Sequence, residues 1–377
     1  MYNLLDIQGI HLELSGKCQA KCPQCPRYNS ENGKVNSYIS FQSLKNSINK
    51  SDSGGFSIPS SVLDKVESFD EISLQTFVKW FPPKFVSQLN YLYMCGNFGD
   101  PIFAKDCLKI FAYLRIHNRT MRLSLHTNGG FRPKDWWEKL AKLRVIVNFA
   151  IDGLSDTHSL YRVNTNWETI IKNASYFINA GGIANWQMIV FKHNEHQITD
   201  CAKLAKSLKF NSFECRHTTR CAEHGQKKMP VMNPKGEVTH YLEPSTKSLK
   251  LFDEIHSHFS ETNMVNRTIE CPAQASKEIY VSANGAVVPC CFMIGFQTPV
   301  EGYNSEEDLY VDYKNKISMY PNLYKESLKE IFDSGYFKKI EKTWNEDSLM
   351  VCSKACGKIN SNSYVNYHSR LTYMISL

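Results

Sequence analysis

The sequence predicts an α/β fold: a partial (βα)6 barrel followed by a small C-terminal module built from a hairpin and a helix. Three observations predict it. Strand-like and helical segments alternate from Ile7 to Arg216, polar and Gly-rich turns follow the strands, and the cysteines fall into an early and a late set. Such alternation gives right-handed βαβ units on a parallel sheet, and six units are too few to close an eight-fold barrel.

The elements follow in order. Ile7 to Leu14 alternates like a strand and ends at Ser15-Gly16, just before Cys18, so the first cysteines sit on a loop at a strand's C-terminal end. Residues 29–61 are rich in Ser and Asn and read as an exposed insertion. A helix over Leu74 to Phe81 is stopped by Pro82-Pro83. Strands are then expected at Leu89 to Cys95, Met121 to His126, Val145 to Ile151, Trp186 to Phe191 and Ser212 to Arg216. Helices are expected at Trp136 to Leu143, Trp167 to Ala180 and Gln197 to Leu208. After Cys221 the rhythm stops, and 222–266 reads as an irregular junction. Ile279 to Pro289 predicts a hairpin with a tight type I′ turn at Asn284-Gly285, and Leu328 to Trp344 predicts one amphipathic helix. The expected domains are therefore 1–221, the junction 222–266, a module over 267–360 and a tail over 361–377.

Composition narrows the class. Of 377 residues, 42% are hydrophobic and 21% charged, enough to bury a core; the net charge of +7 is diluted, with no run of five like charges. No stretch of eighteen apolar residues occurs, and Asp6, His11 and Glu13 interrupt the N-terminus where a signal peptide needs an apolar run, so a soluble, cytoplasmic protein without membrane contact is expected. Thirteen cysteines in that compartment read as metal ligands before disulfides. Cys95, Cys107, Cys201, Cys215 and Cys221 show no metal-like spacing and read as small core residues.

Cys18, Cys22 and Cys25 crowd into one loop. Zinc wants four ligands, and a knuckle borrowing His11 or a distant residue is one alternative. An iron–sulfur cube held by three cysteines leaves one iron open to an exogenous ligand, the chemically sharper reading. On these residues the sequence resembles the radical S-adenosylmethionine (SAM) superfamily, whose TIM-like partial barrel carries three cysteines at these spacings after its first strand. Gly96-Asn97-Phe98-Gly99-Asp100-Pro101 looks like that family's Gly-rich segment, which holds the amino group of SAM through backbone groups. Thr127-Asn128-Gly129 and Ile151-Asp152-Gly153, followed by His158 and Arg162, look like members with SPASM or twitch extensions. Gln24 departs from the pattern, since many members have an aromatic there. The resemblance implies a [4Fe-4S] cluster on Cys18, Cys22 and Cys25. It implies SAM contacts from Gly96, Asn97, Gly99, Asp100, Asn128, Asp152 and Arg162, with Arg162 on the SAM carboxylate and Asp152 or Asn128 on ribose.

Cys271, Cys290, Cys352 and Cys356 resemble the shorter, twitch type of extension and imply a second [4Fe-4S] cluster with no open iron. Cys291 competes with Cys290, which keeps the family spacing, and structural zinc is the alternative occupant. The implied activity is reductive cleavage of SAM to a 5′-deoxyadenosyl radical that abstracts hydrogen from a substrate, with the auxiliary cluster transferring an electron. A flavodoxin- or ferredoxin-like donor is the implied partner. Peptide-acting members often carry an N-terminal leader-recognition domain, and the first ligand here is residue 18, so oxidation of a small metabolite is expected ahead of peptide modification. Lys192, His193 and Glu195, with Arg216 and His217, are candidates to face substrate. A non-catalytic electron-transfer protein explains the clusters but not the SAM-like motifs. A nucleic-acid-binding zinc protein lacks any RNA- or DNA-binding motif here.

Overall fold

A computed structural model describes residues 3–25, 27, 71–218, 228–233, 235–249, 268–294, 320–358 and 372–377. The 29–61 insertion and Cys221 lie outside them. In chain order the elements are β1 (Gly9–Leu12), α1 (Leu74–Trp80), α2 (Pro83–Val86), β2 (Tyr91–Met94), α3 (Cys107–His117), β3 (Arg122–Thr127), α4 (Lys134–Lys142), β4 (Val145–Ala150), α5 (His158–Tyr161), α6 (Trp167–Asn179), β5 (Ile183–Val190), α7 (Ile198–Ser207), β6 (Ser212–His217), β7 (Met229–Met232) and β8 (Val238–Leu242). They continue with β9 (Thr268–Ile269), α8 (Pro272–Ala275), β10 (Glu278–Val281), β11 (Val287–Val288), α9 (Leu328–Asp333), α10 (Tyr336–Glu346), α11 (Met350–Cys356), β12 (Gly357–Lys358) and β13 (Thr372–Ile375). β1 to β6 are the six strands the sequence predicts. Among the described residues no helix is long and apolar enough to cross a membrane.

Two compact units divide the chain. The first combines Met1–Cys18, Tyr38–Arg122 and Val265–Tyr364; the second combines Gln19–Ser37, Leu123–Met264 and Val365–Leu377. In the first unit the strand order is β11-β10-β1-β2, with β1 parallel to both β10 and β2 and β11 antiparallel to β10. The C-terminal hairpin thus extends the sheet of the first predicted strand. Side chains alternate across this sheet. Ile10, Leu12, Leu92, Met94, Ile279 and Val281 are fully buried on one face. His11, Tyr93 and Tyr280 share a register row on the other, where the His11 ring stacks on Tyr93 at 4.2 Å.

In the second unit β3, β4, β5 and β6 run parallel in that order, and β13 closes the edge antiparallel to β6. One face is an aromatic core in which Trp137 and Phe149 lie 5.4 Å apart and Trp186 and Phe210 also 5.4 Å apart. The other carries a polar ladder: Asn185 donates to Asn148 at 2.9 Å, Asn148 meets His126 at 3.2 Å, and Gln187 joins His126 at 3.1 Å and Glu214 at 3.1 Å. Period-two alternation with polar residues on the second face is a pattern the strands already display in sequence.

Several expectations change. α3 is an unpredicted helix: Cys107, Ile110, Phe111 and Leu114 form its buried stripe, but Leu108, Ala112 and Ile116 carry apolar residues onto its other sides and blur the pattern. The junction is not irregular throughout, because β7 and β8 form an antiparallel hairpin whose turn is organised by Asn233, its Oδ1 accepting from the N–H of Lys235 at 2.9 Å and of Glu237 at 3.1 Å. The tail contributes β13. The expected two-residue turn at Asn284-Gly285 is instead a five-residue loop, Ser282 to Ala286, closed by Ser282 N–H to Ala286 O at 3.0 Å and by Ala286 N–H to Ser282 Oγ at 3.1 Å. The single helix expected over Leu328 to Trp344 is two, broken at Gly335, whose φ of 75° only glycine adopts freely.

Candidate functional site

The first unit supplies the strand before the early cysteines, Cys18 itself and the Gly-rich loop. Glu13, one residue past β1, is buried, and its carboxylate organises that loop. Its Oε1 accepts from the N–H groups of Phe98 at 2.6 Å and Gly99 at 3.2 Å, and its Oε2 accepts from the Tyr280 hydroxyl at 2.8 Å. Burial pushes the Glu13 carboxyl above the usual carboxylate range, while the Phe98 N–H, the Tyr280 hydroxyl and the Gly99 N–H pull it back. Asp100 N–H donates to Lys17 O at 2.9 Å and Asn97 Nδ2 to Cys291 O at 3.0 Å. The loop is therefore fastened to the residue before Cys18 and to the residue after Cys290. Gly99 is required by contact, since a Cβ there would lie 1.7 Å from Ser15 O. Asp100 caps the next turn, Oδ1 accepting from Ile102 N–H at 3.2 Å.

The second unit holds the rest of the loop, with Cys22 and Cys25, and each sulfur has a guanidinium beside it. Arg27 Nε donates to Cys25 Sγ at 3.3 Å and its Nη2 to Ala20 O at 2.7 Å. Arg162 Nη1 donates to Cys22 Sγ at 3.7 Å, and its Nε to Asp152 Oδ2 at 2.6 Å. Burial raises the Cys22 thiol, and Arg162 opposes that shift. Burial also works against the Arg162 charge, but Asp152 and Cys22 outweigh it and keep the guanidinium protonated well above its ordinary value. Lys21 N–H to Val163 O and Asn164 Nδ2 to Gln19 O, each 2.8 Å, fix the loop beside Arg162.

The remaining predicted contacts are placed as follows. Asp152 is fully buried, and its Oδ1 accepts from Ile189 N–H at 2.6 Å, so both carboxylate oxygens are engaged within the protein. Asn128 pairs side by side with Gln19, accepting from its Nε2 at 2.7 Å and donating to its Oε1 at 3.3 Å. Glu13, Gln19 and Arg27 escaped the sequence reading. Charged residues on or beside a predicted core strand and within the cysteine loop were the available signal for Glu13 and Arg27. Of the substrate candidates, His193 stacks on Phe191 at 5.3 Å, Lys192 pairs with Glu195 at 2.8 Å, Arg216 pairs with Glu214, and His217 is buried against Ser245 Oγ at 2.6 Å. Lys192 and Arg216 are thus paired with carboxylates, while His193 Nε2 and His217 Nε2 are buried with no hydrogen-bond partner among the described residues.

His158 supports Asp152 from behind. Its Nδ1 accepts from Asp152 N–H at 3.0 Å, which puts the proton on Nε2, directed at Thr165 Oγ1 at 3.1 Å. Burial, with the nearby Arg162 charge, pulls its pKa down to about 3.

The late cysteines all lie in the first unit. Cys271, Cys290, Cys352 and Cys356 line one cavity. Cys291 does not line it; burial and the nearby Glu278 carboxylate lift its pKa to about 11. Local structure explains the convergence. Cys352 and Cys356 are one turn apart on α11. The pairing of β9 with β12, Ile269 opposite Gly357, brings the chain before Cys271 to the residue after Cys356. Cys271 precedes α8, and the N–H groups of Gln274 and Ala273 face its sulfur. The Cys290 thiol is pushed well above its ordinary pKa by burial and by Cys291, Cys352, Cys271 and Cys356.

These residues fit the iron–sulfur expectation. Apart from the four thiols the cavity is lined by Ile269, Pro289, Met293, Ile340, Val351 and other uncharged residues, so a metal centre is the available countercharge for four thiolates. Among the described residues no three His, Cys, Asp or Glu side chains are grouped closely enough to hold one metal ion. A four-iron cube is larger than an ion and spreads its thiolates further.

The His158 environment gives a pH prediction. Its pKa is about 3 in the folded protein against the ordinary 6.5, so the unfolded chain takes up a proton that the folded chain refuses as pH falls from 6.5 toward 3. Stability should decline over that window by about 1.4 kcal/mol per pH unit on this account. His158→Asn, whose Oδ1 can accept from Asp152 N–H, should show a shallower decline by about one proton in denaturant titrations. An unchanged slope would contradict the assignment.

Residues 271–357 match the SPASM family, an iron–sulfur cluster-binding domain. No curated protein matches the chain in sequence. Among solved structures the chain is similar to Streptococcus suis SuiB bound to S-adenosylmethionine, with a TM-score of 0.51 and 14% identity over 93% of this chain and 73% of that one. It is also similar to Streptococcus suis SuiB bound to precursor peptide SuiA, with a TM-score of 0.51 and 14% identity over 91% of this chain and 66% of that one. The chain thus shares the fold of SuiB, a protein whose structure is bound to S-adenosylmethionine, and its residues 271–357 match an iron–sulfur cluster-binding domain.

Proposed function

We propose that the chain is a radical SAM enzyme that cleaves SAM reductively and passes an electron from its substrate radical to an auxiliary [4Fe-4S] cluster. The observation that carries this reading is the contrast between the two cysteine sets. The early set offers three thiols on one loop with Arg27 and Arg162 beside it; the late set offers four in an apolar cavity. Three ligands leave an open iron and four do not. When bound, the first cluster and SAM supply one electron and a carbon–sulfur bond that breaks to give the 5′-deoxyadenosyl radical.

The chain's own residues hold and shield that chemistry. Cys18, Cys22 and Cys25 hold the first cluster, and Arg27 and Arg162 offset its negative charge. Arg162 spends Nε on Asp152 and Nη1 on Cys22, which leaves its Nη2 donors to grip the SAM carboxylate. Asp152 holds Arg162 in place, a role that replaces ribose binding because its oxygens are already engaged. The Gly96 to Asp100 loop commits the N–H groups of Phe98 and Gly99 to Glu13, so it offers carbonyl oxygens to the SAM amino group, itself a donor. Asn128, held by Gln19, keeps the next turn in order. Cys271, Cys290, Cys352 and Cys356 hold the auxiliary cluster.

Sequence alone favours oxidation of a small metabolite. Modification of a peptide is the second reading, and one observation favours it: the similar SuiB structure is bound to its precursor peptide. The polar ladder from Asn185 to Glu214 offers amide and carboxylate groups suited to a polar substrate of either class.

Two experiments test the proposal. Anaerobically prepared protein should hold about eight irons, and changing Cys18, Cys22 and Cys25 together to Ala should leave about four and abolish 5′-deoxyadenosine formation under reducing conditions. Zinc in place of iron, or undiminished SAM cleavage, would sink the class assignment. Separately, Cys352→Ala with Cys356→Ala should keep 5′-deoxyadenosine formation while losing oxidised product, with circular dichroism confirming the fold. Normal turnover by that folded variant would make the auxiliary cluster structural and end its electron-transfer role.

A further inference from the structure

We propose that the indole N–H of Trp344 donates a hydrogen bond to the auxiliary cluster and holds its reduction potential up. Trp344 lies on α10 and lines the four-cysteine cavity together with Ile340, four residues earlier on the same helix face. Its Nε1 is buried and has no hydrogen-bond partner among the described residues. A buried N–H without an acceptor is costly, and tryptophan in a core normally finds one. Among the described residues lining the cavity, the side chains offer only sulfur as acceptor: the four cysteines and Met293. A cluster in that cavity adds inorganic sulfides to the same set, and N–H groups aimed at cluster sulfur are a recognised means of setting potential.

The direction follows from charge. The reduced cluster is more negative by one electron, so an N–H donor stabilises it more than the oxidised form. Trp344 is a positioning and tuning residue in this scheme, and it makes the cluster a better acceptor for the electron leaving the substrate radical. The inference rests on the reading of Cys271, Cys290, Cys352 and Cys356 as holders of a closed four-iron cluster.

Its test reads potential rather than turnover. In redox titration of the holoenzyme followed by electron paramagnetic resonance, Trp344→Phe should lower the ratio of reduced to oxidised auxiliary cluster at a fixed potential about tenfold, a downward shift of about 59 mV. Water entering the space would favour the more charged reduced state and move the potential the other way, so loss of the bond and loss of packing differ in sign. Trp137→Phe, which deletes another buried indole N–H without a partner among the described residues, in the second unit, should leave the potential unchanged. The wild-type protein gives an independent reading: indole nitrogen-15 labelling should produce hyperfine coupling to the reduced auxiliary cluster. With iron retained, an unchanged or raised potential in Trp344→Phe, or no coupling in the wild type, overturns the inference and leaves the functional reading standing. Zinc in the four-cysteine site overturns both.

Discussion

A single buried carboxylate ties the first unit together. Glu13 leaves β1, accepts two backbone N–H groups from the Gly-rich loop and one hydroxyl from Tyr280 on β10. Three segments far apart in sequence therefore meet on two oxygens. An unpaired carboxylate in that position would be strongly disfavoured, because burial opposes its charge. The loop's conformation, the seating of the C-terminal hairpin on β1 and the close approach of Gly99 to Ser15 all depend on that charge being satisfied.

The same accounting separates the two cysteine sets. In the early loop, Arg162 and Arg27 sit on Cys22 and Cys25, so part of the negative charge of a bound cluster is met before the cluster arrives. Arg162 is in turn fixed by Asp152, and Asp152 by Ile189 and, through its own N–H, by His158. The late cavity has no such cation among its described lining residues, and burial drives its thiols toward the neutral form. Loading that cavity must expel protons as metal binds, which couples cluster assembly to the folding of the small elements around it.

Local chemistry made much of this legible in the sequence. The six strands were visible because apolar and polar residues alternate along them, and the three-cysteine loop because its spacing has few uses. Arg162 and Asp152 were placed at the site, but their mutual pairing and the shared demands on Asp152 were not foreseen. Residues such as Glu13, Gln19, Tyr280 and Trp344 act through partners from 85 to 267 positions away or through a cavity that exists only in the fold. α3 was missed because apolar residues off its buried stripe blur the helical pattern, and β13 because a strand closing a sheet edge is defined by its neighbour, β6.

The central claim is that one cluster is open to SAM and the other is closed. Electron paramagnetic resonance of the reduced holoenzyme, recorded with and without SAM, tests it most directly. The account predicts that SAM alters the signal belonging to the cluster of Cys18, Cys22 and Cys25 and leaves the auxiliary signal unchanged. A SAM-induced change in the auxiliary signal, or none in either, would contradict it.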